Sequence, residues 1–90
     1  MTTKTKILLC ENGINGESVS ATTLKNNGFI VITRQKNGND AIEAIKDERP
    51  DIVIVDAEMQ GANAESVINR VKADMIVPPK FIVITSYGQI

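Results

Sequence analysis

The chain has 90 residues, of which 42% are hydrophobic and 23% are charged, and its formal net charge is -1. This length suits one small domain, and the composition is that of an ordinary globular domain, which excludes a disordered or collagen-like chain. The 10 basic and 11 acidic residues are scattered without a run of either sign. We therefore expect neither nucleic acid nor an anionic membrane among the partners of the chain.

The chain contains one cysteine, Cys10, and no histidine. An internal disulfide is therefore excluded, and catalytic triads and zinc sites are not expected. Because Cys10 lies in an apolar run, we interpret it as a buried structural thiol. That run is too short for a signal-peptide core or a membrane span, so we predict a cytoplasmic protein.

The first half of the chain predicts two strands and one helix. Ile7–Cys10 and Phe29–Ile32 are apolar runs without polar alternation, which is typical of strands covered on both faces of a parallel sheet. Between them, Gly16–Asn26 has a thin apolar stripe, and Asn27-Gly28 is a good C-terminal stop for a helix. Each of the four Asn-Gly pairs in the chain also fits a tight hairpin, but the flanking helical patterns favour helix ends.

The second half predicts two more helices and two more strands. A helix is expected over Asn39–Glu48, followed after a proline by the apolar run Ile52–Val55. The segment Asn63–Asp74 places its apolar residues on one helical face, and its first residue is a good N-cap. The last apolar run is Phe81–Ile84.

Strands that alternate with helices imply right-handed crossovers and a doubly wound α/β fold with a parallel sheet. We find no internal repeat or linker, and we expect residues 1–90 to form a single domain. In such sheets ligands bind at the carboxyl ends of the strands. Polar residues follow three of the predicted strands there, and these are Glu11, Asn12, Asp56 and Thr85.

Two stretches resemble the receiver domain of bacterial two-component response regulators. Asn37–Ile45 looks like the start of the second helix in that family, and Arg49–Asp56 looks like the Pro-Asp and apolar strand that end in the phosphoaccepting aspartate. The tail Ile84–Gln89 is similar to the fourth-strand end of the receiver in the master regulator of sporulation. The resemblance implies a flavodoxin-like sheet of about four strands in the order 2-1-3-4, with three helices.

The resemblance also implies roles for individual residues. Asp56 would accept the phosphoryl group, and the hydroxyl of Thr85 would contact it. Glu11 and Asn12 stand in place of the acidic pair that holds Mg²⁺, and Asp56 and the backbone carbonyl of Glu58 would be further ligands. Because Asn12 supplies a neutral oxygen, we expect weakened Mg²⁺ binding.

The chain departs from the family pattern in the loop after Asp56, where Gln60 replaces a proline, and at its end. The fourth helix, the fifth strand with its phosphate-pairing lysine and the fifth helix are absent from the sequence. We therefore expect a truncated receiver-like domain in which the run Phe81–Ile84 is an apolar, unpaired edge. Because an exposed apolar edge of this kind usually marks an interface, we predict a homodimer, or a partner that supplies the missing elements.

The main hypothesis is a non-enzymatic signalling domain of a phosphorelay that acts through protein contacts. Its partners would be a histidine kinase, a phosphotransferase or a full-length regulator. The alternative is a phosphate-independent pseudo-receiver that serves as a dimerisation or scaffold module. In that case Asp56 is a polar strand end, Glu11 and Asn12 are loop residues, and Thr85 satisfies backbone groups. An enzyme of small anionic substrates has little support, because no suitable general base is visible.

Overall fold

The computed structural model describes residues 4–10, 19–33, 38–56 and 63–84. In these ranges the strands are β1 (Lys6–Cys10), β2 (Ile30–Ile32), β3 (Ile52–Asp56) and β4 (Lys80–Ile84), and the helices are α1 (Val19–Asn26), α2 (Gly38–Glu48) and α3 (Ala64–Asp74). The predicted strands and helices are confirmed, and apart from the start of α1 their ends differ by at most one residue. The predicted start of α1 at Gly16 lies outside the described residues.

The four strands form one parallel sheet in the order β2-β1-β3-β4. The inner strand β3 pairs with β1 on one side, where Val53 lies opposite Leu8, and with β4 on the other, where Ile54 lies opposite Ile82. This order confirms the doubly wound topology predicted from the sequence. It requires every connection between strands to cross over the sheet through a helix.

The two faces of the sheet carry different parts of the core, because side chains alternate along each strand. The face that packs against α2 and α3 contains the main cluster of buried residues, which are Leu8, Cys10, Ala41, Ala44, Ile45, Val53, Val55, Ala64, Val67 and Val71. On the opposite face Ile7 and Leu9 are buried, and so is Ala21 of α1. Helices therefore cover β1 on both faces, which explains why its sequence is apolar without alternation.

Local hydrogen bonds fix the helix ends. The Oδ1 of Asn63 accepts a hydrogen bond from the backbone N–H of Ser66 at 2.8 Å, which confirms the predicted N-cap of α3. At the end of α1, the backbone N–H of Asn27 donates to Thr23, and Gly28 adopts a left-handed φ of 91°. This Asn-Gly pair therefore ends a helix and does not form a hairpin.

An ion-pair cluster ties the C-terminal turns of α2 and α3 together. Lys46 Nζ lies 2.5 Å from Asp74 Oδ2, and Arg70 Nε lies 3.0 Å from the same oxygen. The hydrogen bond from Lys46, followed by that from Arg70, lowers the pKa of Asp74 below its ordinary value. Because these side chains are exposed to solvent, the cluster orients the helix ends more than it stabilises the fold.

Arg49, directly after α2, has a left-handed φ of 48° while its N–H donates to Ile45 at 3.0 Å. A side chain with a Cβ is strained in this conformation and glycine is not. We expect Arg49→Gly to raise the free energy of unfolding by about 0.5–1 kcal/mol, measured by chemical denaturation. Arg49→Ala is the matched control, since it removes the side chain and keeps the strain. Equal stability of the two variants would contradict the prediction.

Candidate functional site

The carboxyl ends of three strands meet at one edge of the sheet. In the register of the sheet Cys10, the last residue of β1, lies opposite Val55, and Ile84, the last residue of β4, lies opposite Asp56. The strands β1, β3 and β4 therefore all finish within one residue of each other in register. This carboxyl edge is where parallel α/β sheets bind ligands.

Asp56 is the last residue of the inner strand β3 and is half-buried at this edge. Alternation along β3 places its side chain on the same face as Ile52 and Ile54, opposite to the buried Val53 and Val55. The structure thus places a partly accessible carboxylate at the position where the sequence predicted one. Its role as a phosphoacceptor stays a prediction.

The other predicted site residues, Glu11, Asn12, Glu58 and Thr85, lie outside the part of the chain that the structure describes. Gln60, in the loop after Asp56, lies outside it as well. In the chain, Glu11 directly follows the last residue of β1, and Thr85 directly follows the last residue of β4. Their convergence on Asp56 stays a prediction. Across the described ranges, no cluster of three or more Asp, Glu, His or Cys side chains forms a metal site.

Cys10 lies beside the carboxyl edge but does not have the properties of a nucleophile. It is buried in the main core, as the sequence predicted, and burial raises the pKa of its thiol to about 12. A thiol of this kind stays protonated and unreactive near neutral pH. We therefore interpret Cys10 as a structural residue of the core.

Sequence reasoning missed a groove between α3 and β4. The groove has a volume of about 380 Å³, and its lining comprises Asn63, Ala64, Glu65, Ile68, Asn69 and Val83. The spacing of Glu65, Ile68, Asn69 and Lys72, at i, i+3, i+4 and i+7, would have revealed that they share one flank of α3. We call these four residues the α3 flank.

Sequence comparison finds relatives among regulatory proteins. No protein-family model matches the chain. It is 28% identical over 88 residues to a protein of Guillardia theta described as the probable transcriptional regulator ycf27. The match covers 98% of this chain and 34% of that protein, so the chain spans about a third of the length of this relative.

The solved structures that match over most of the chain include two receiver domains. The first is a CheY-like response regulator receiver domain from Methylobacillus flagellatus, with 20% identity, a TM-score of 0.75, and coverage of 97% of this chain and 74% of that one. The second is the signal receiver domain of a modulated diguanylate cyclase from Desulfovibrio desulfuricans G20, with 31% identity, a TM-score of 0.69, and coverage of 92% and 66%. The chain has the fold of a response-regulator receiver domain.

The narrower resemblance of the tail Ile84–Gln89 to a sporulation regulator is not confirmed by these comparisons, and residues 85–90 lie outside the described part. None of the helices in the described ranges has the length and apolar character that a membrane crossing requires.

Burial of Cys10 predicts that its thiol is protected in the native protein. At about pH 8 we expect a thiol-specific disulfide reagent to modify the folded chain at least tenfold more slowly than the chain unfolded in urea. Absorbance of the released thiolate measures both rates. Equal rates would show that Cys10 is accessible and would contradict its interpretation as a protected, structural thiol.

Proposed function

We propose that the chain is a receiver-like signalling domain that accepts a phosphoryl group on Asp56. The observation that carries the proposal is the position of this half-buried carboxylate, whose residue is the last of the inner strand β3 at the carboxyl edge. The likeness of the fold to receiver domains supports it, and so does the similarity to a probable transcriptional regulator.

The proposed reaction joins an Oδ atom of Asp56 to the phosphorus of a phosphoryl donor, while the bond between phosphorus and the leaving group of the donor breaks. A carboxylate approaches an anionic phosphoryl group only when charge is neutralised. When bound, Mg²⁺ would supply that neutralisation, and the residues that would hold it are Glu11, Asn12, Asp56 and, through its backbone carbonyl, Glu58. All four donors are oxygen atoms, the kind that Mg²⁺ prefers, although Asn12 lacks the charge of a carboxylate.

Thr85 completes the proposed site. As the residue after the last residue of β4, its hydroxyl would donate a hydrogen bond to a phosphoryl oxygen on Asp56. The output of the domain would be contact with other proteins and not catalysis. A histidine kinase, a phosphotransferase or a full-length regulator is the proposed partner, and the cytoplasmic location stays a prediction.

A second candidate function, dimerisation, is favoured by the outer strand β4. No strand of the described part pairs with its outer side. Its side chains Ile82, Val83 and Ile84 are 49%, 47% and 42% exposed, so apolar surface is open on both faces of this strand. An apolar strand with unpaired backbone groups is a template for pairing with another chain. We propose that β4 pairs with β4 of a second copy.

The phosphoacceptor proposal predicts a mass change. Incubation with acetyl phosphate and Mg²⁺ should add one phosphoryl group to the chain, and Asp56→Asn should abolish the addition, as measured by intact mass spectrometry. Asp51→Asn is the matched control, because Asp51 lies just before the amino end of the same strand. It should gain mass like the native chain.

If the native chain gains no phosphoryl group, the phosphoacceptor proposal is wrong and the phosphate-independent scaffold remains. If Asp56→Asn gains as much as the native chain, the acceptor is another residue.

The dimer proposal predicts that the native chain has the mass of a dimer in light scattering and that Ile82→Lys is a monomer. A charged side chain on an edge strand opposes pairing. Ile30→Lys is the matched control, since Ile30 is 45% exposed on the opposite edge strand β2. This variant should stay dimeric. A monomeric native chain at high concentration would overturn the proposal.

A further inference from the structure

The α3 flank has the charge pattern of a self-complementary surface. Glu65 lies in the first turn of α3 and Lys72 in its last turn, and both are exposed. Neither side chain forms an ion pair with another residue of the described ranges. Ile68, half-buried, lies between them on the same flank. The flank is therefore negative at one end, apolar in the middle and positive at the other.

The α3 flank lies on the side of the helix that is nearest to the edge strand β4. Phe81 packs against the core beneath α2 and α3, and Val83 lines the groove beside Glu65 and Ile68. The face of β4 that carries Phe81 and Val83 is therefore the face that α3 covers. Because α3 shares the main core cluster with β3 and lines a groove with Val83 of β4, we place the helix above these two strands.

We propose that a second copy of the chain docks on this flank, so that α3 packs antiparallel to its own counterpart. The proposal rests on the pairing of β4 with β4 suggested above. Two identical strands that pair around a two-fold axis perpendicular to the sheet run antiparallel and keep their helices on the same face. The axis passes near Ile82, beneath the middle of the α3 flank.

Strand spacing gives the distance between the two helices. A helix above β3 and β4 and its counterpart above the same strands of the second copy are separated by two strand spacings, or about 9.6 Å. Packed helices lie about 8–10 Å apart. The paired sheets therefore bring the two α3 helices to packing distance, and the groove beside Ile68 is filled by the second helix.

Charge complementarity follows from the antiparallel arrangement. Glu65 of each copy lies beside Lys72 of the other, which forms two identical ion pairs on either side of the central Ile68 residues. A parallel arrangement would place like charges together. The flank thus selects a second copy in one orientation, which is the specificity that charged residues confer on interfaces.

Charge reversal tests the inference. Glu65→Lys alone and Lys72→Glu alone each place two like-charge contacts in the dimer, and we expect each variant to dimerise about tenfold more weakly than the native chain. An equimolar mixture of the two variants restores both attractive contacts, so it should form mixed dimers with native affinity. Sedimentation velocity measures the affinities, and native mass spectrometry identifies the mixed species. Glu43→Lys, an exposed reversal on α2, is the matched control and should dimerise like the native chain.

The outcomes separate this inference from the proposals on which it builds. A native dimer whose affinity is unaffected by either reversal, or a mixture that associates no better than its components, would overturn the helix contact while strand pairing survives. A monomeric native chain would overturn both. Phosphorylation of Asp56, measured by mass, is independent of each result.

Discussion

The parallel pairing of β3 with β1 on one side and β4 on the other is the constraint on which the rest of the molecule depends. In this register Val53 and Val55 face α2 and α3 and are fully buried. A slip of one residue would turn these side chains away from the main core, and it would turn Asp56 into it. The burial of two valines therefore fixes the face and the edge on which the carboxylate stands.

Much of the fold follows from the sequence because its signals are local. Continuous apolar runs reveal strands that are covered on both faces, and Asn63 and Asn27-Gly28 mark helix ends by their hydrogen-bonding and conformational properties. The left-handed Arg49 carries no such signal, since arginine is not a residue that favours this conformation. The link between Lys46 and Asp74 depends on how two helices pack, and no sequence pattern reports it.

The candidate site, too, could be predicted only in part from the sequence. Asp56 could be placed from the sequence because it ends a strand whose position is set by burial. Glu11, Asn12, Glu58 and Thr85 belong to segments without periodic pattern, where spacing does not fix side-chain geometry. Their roles rest on resemblance to receiver domains. The α3 flank was missed for a different reason, since the groove between α3 and Val83 depends on how the helix packs on the sheet.

The proposed site requires oxygen ligands to gather around Asp56 at the carboxyl edge. Paramagnetic Mn²⁺, which accepts the same oxygen ligands as Mg²⁺, tests it most directly by broadening the NMR signals of nearby backbone amides. We expect selective broadening at Cys10, Asp56 and Ile84, with Asp51 and Lys80 at the opposite edge unaffected, and we expect excess Mg²⁺ to reverse it by competition. Broadening confined to Asp51 and Lys80, or uniform weak broadening along the chain, would contradict it.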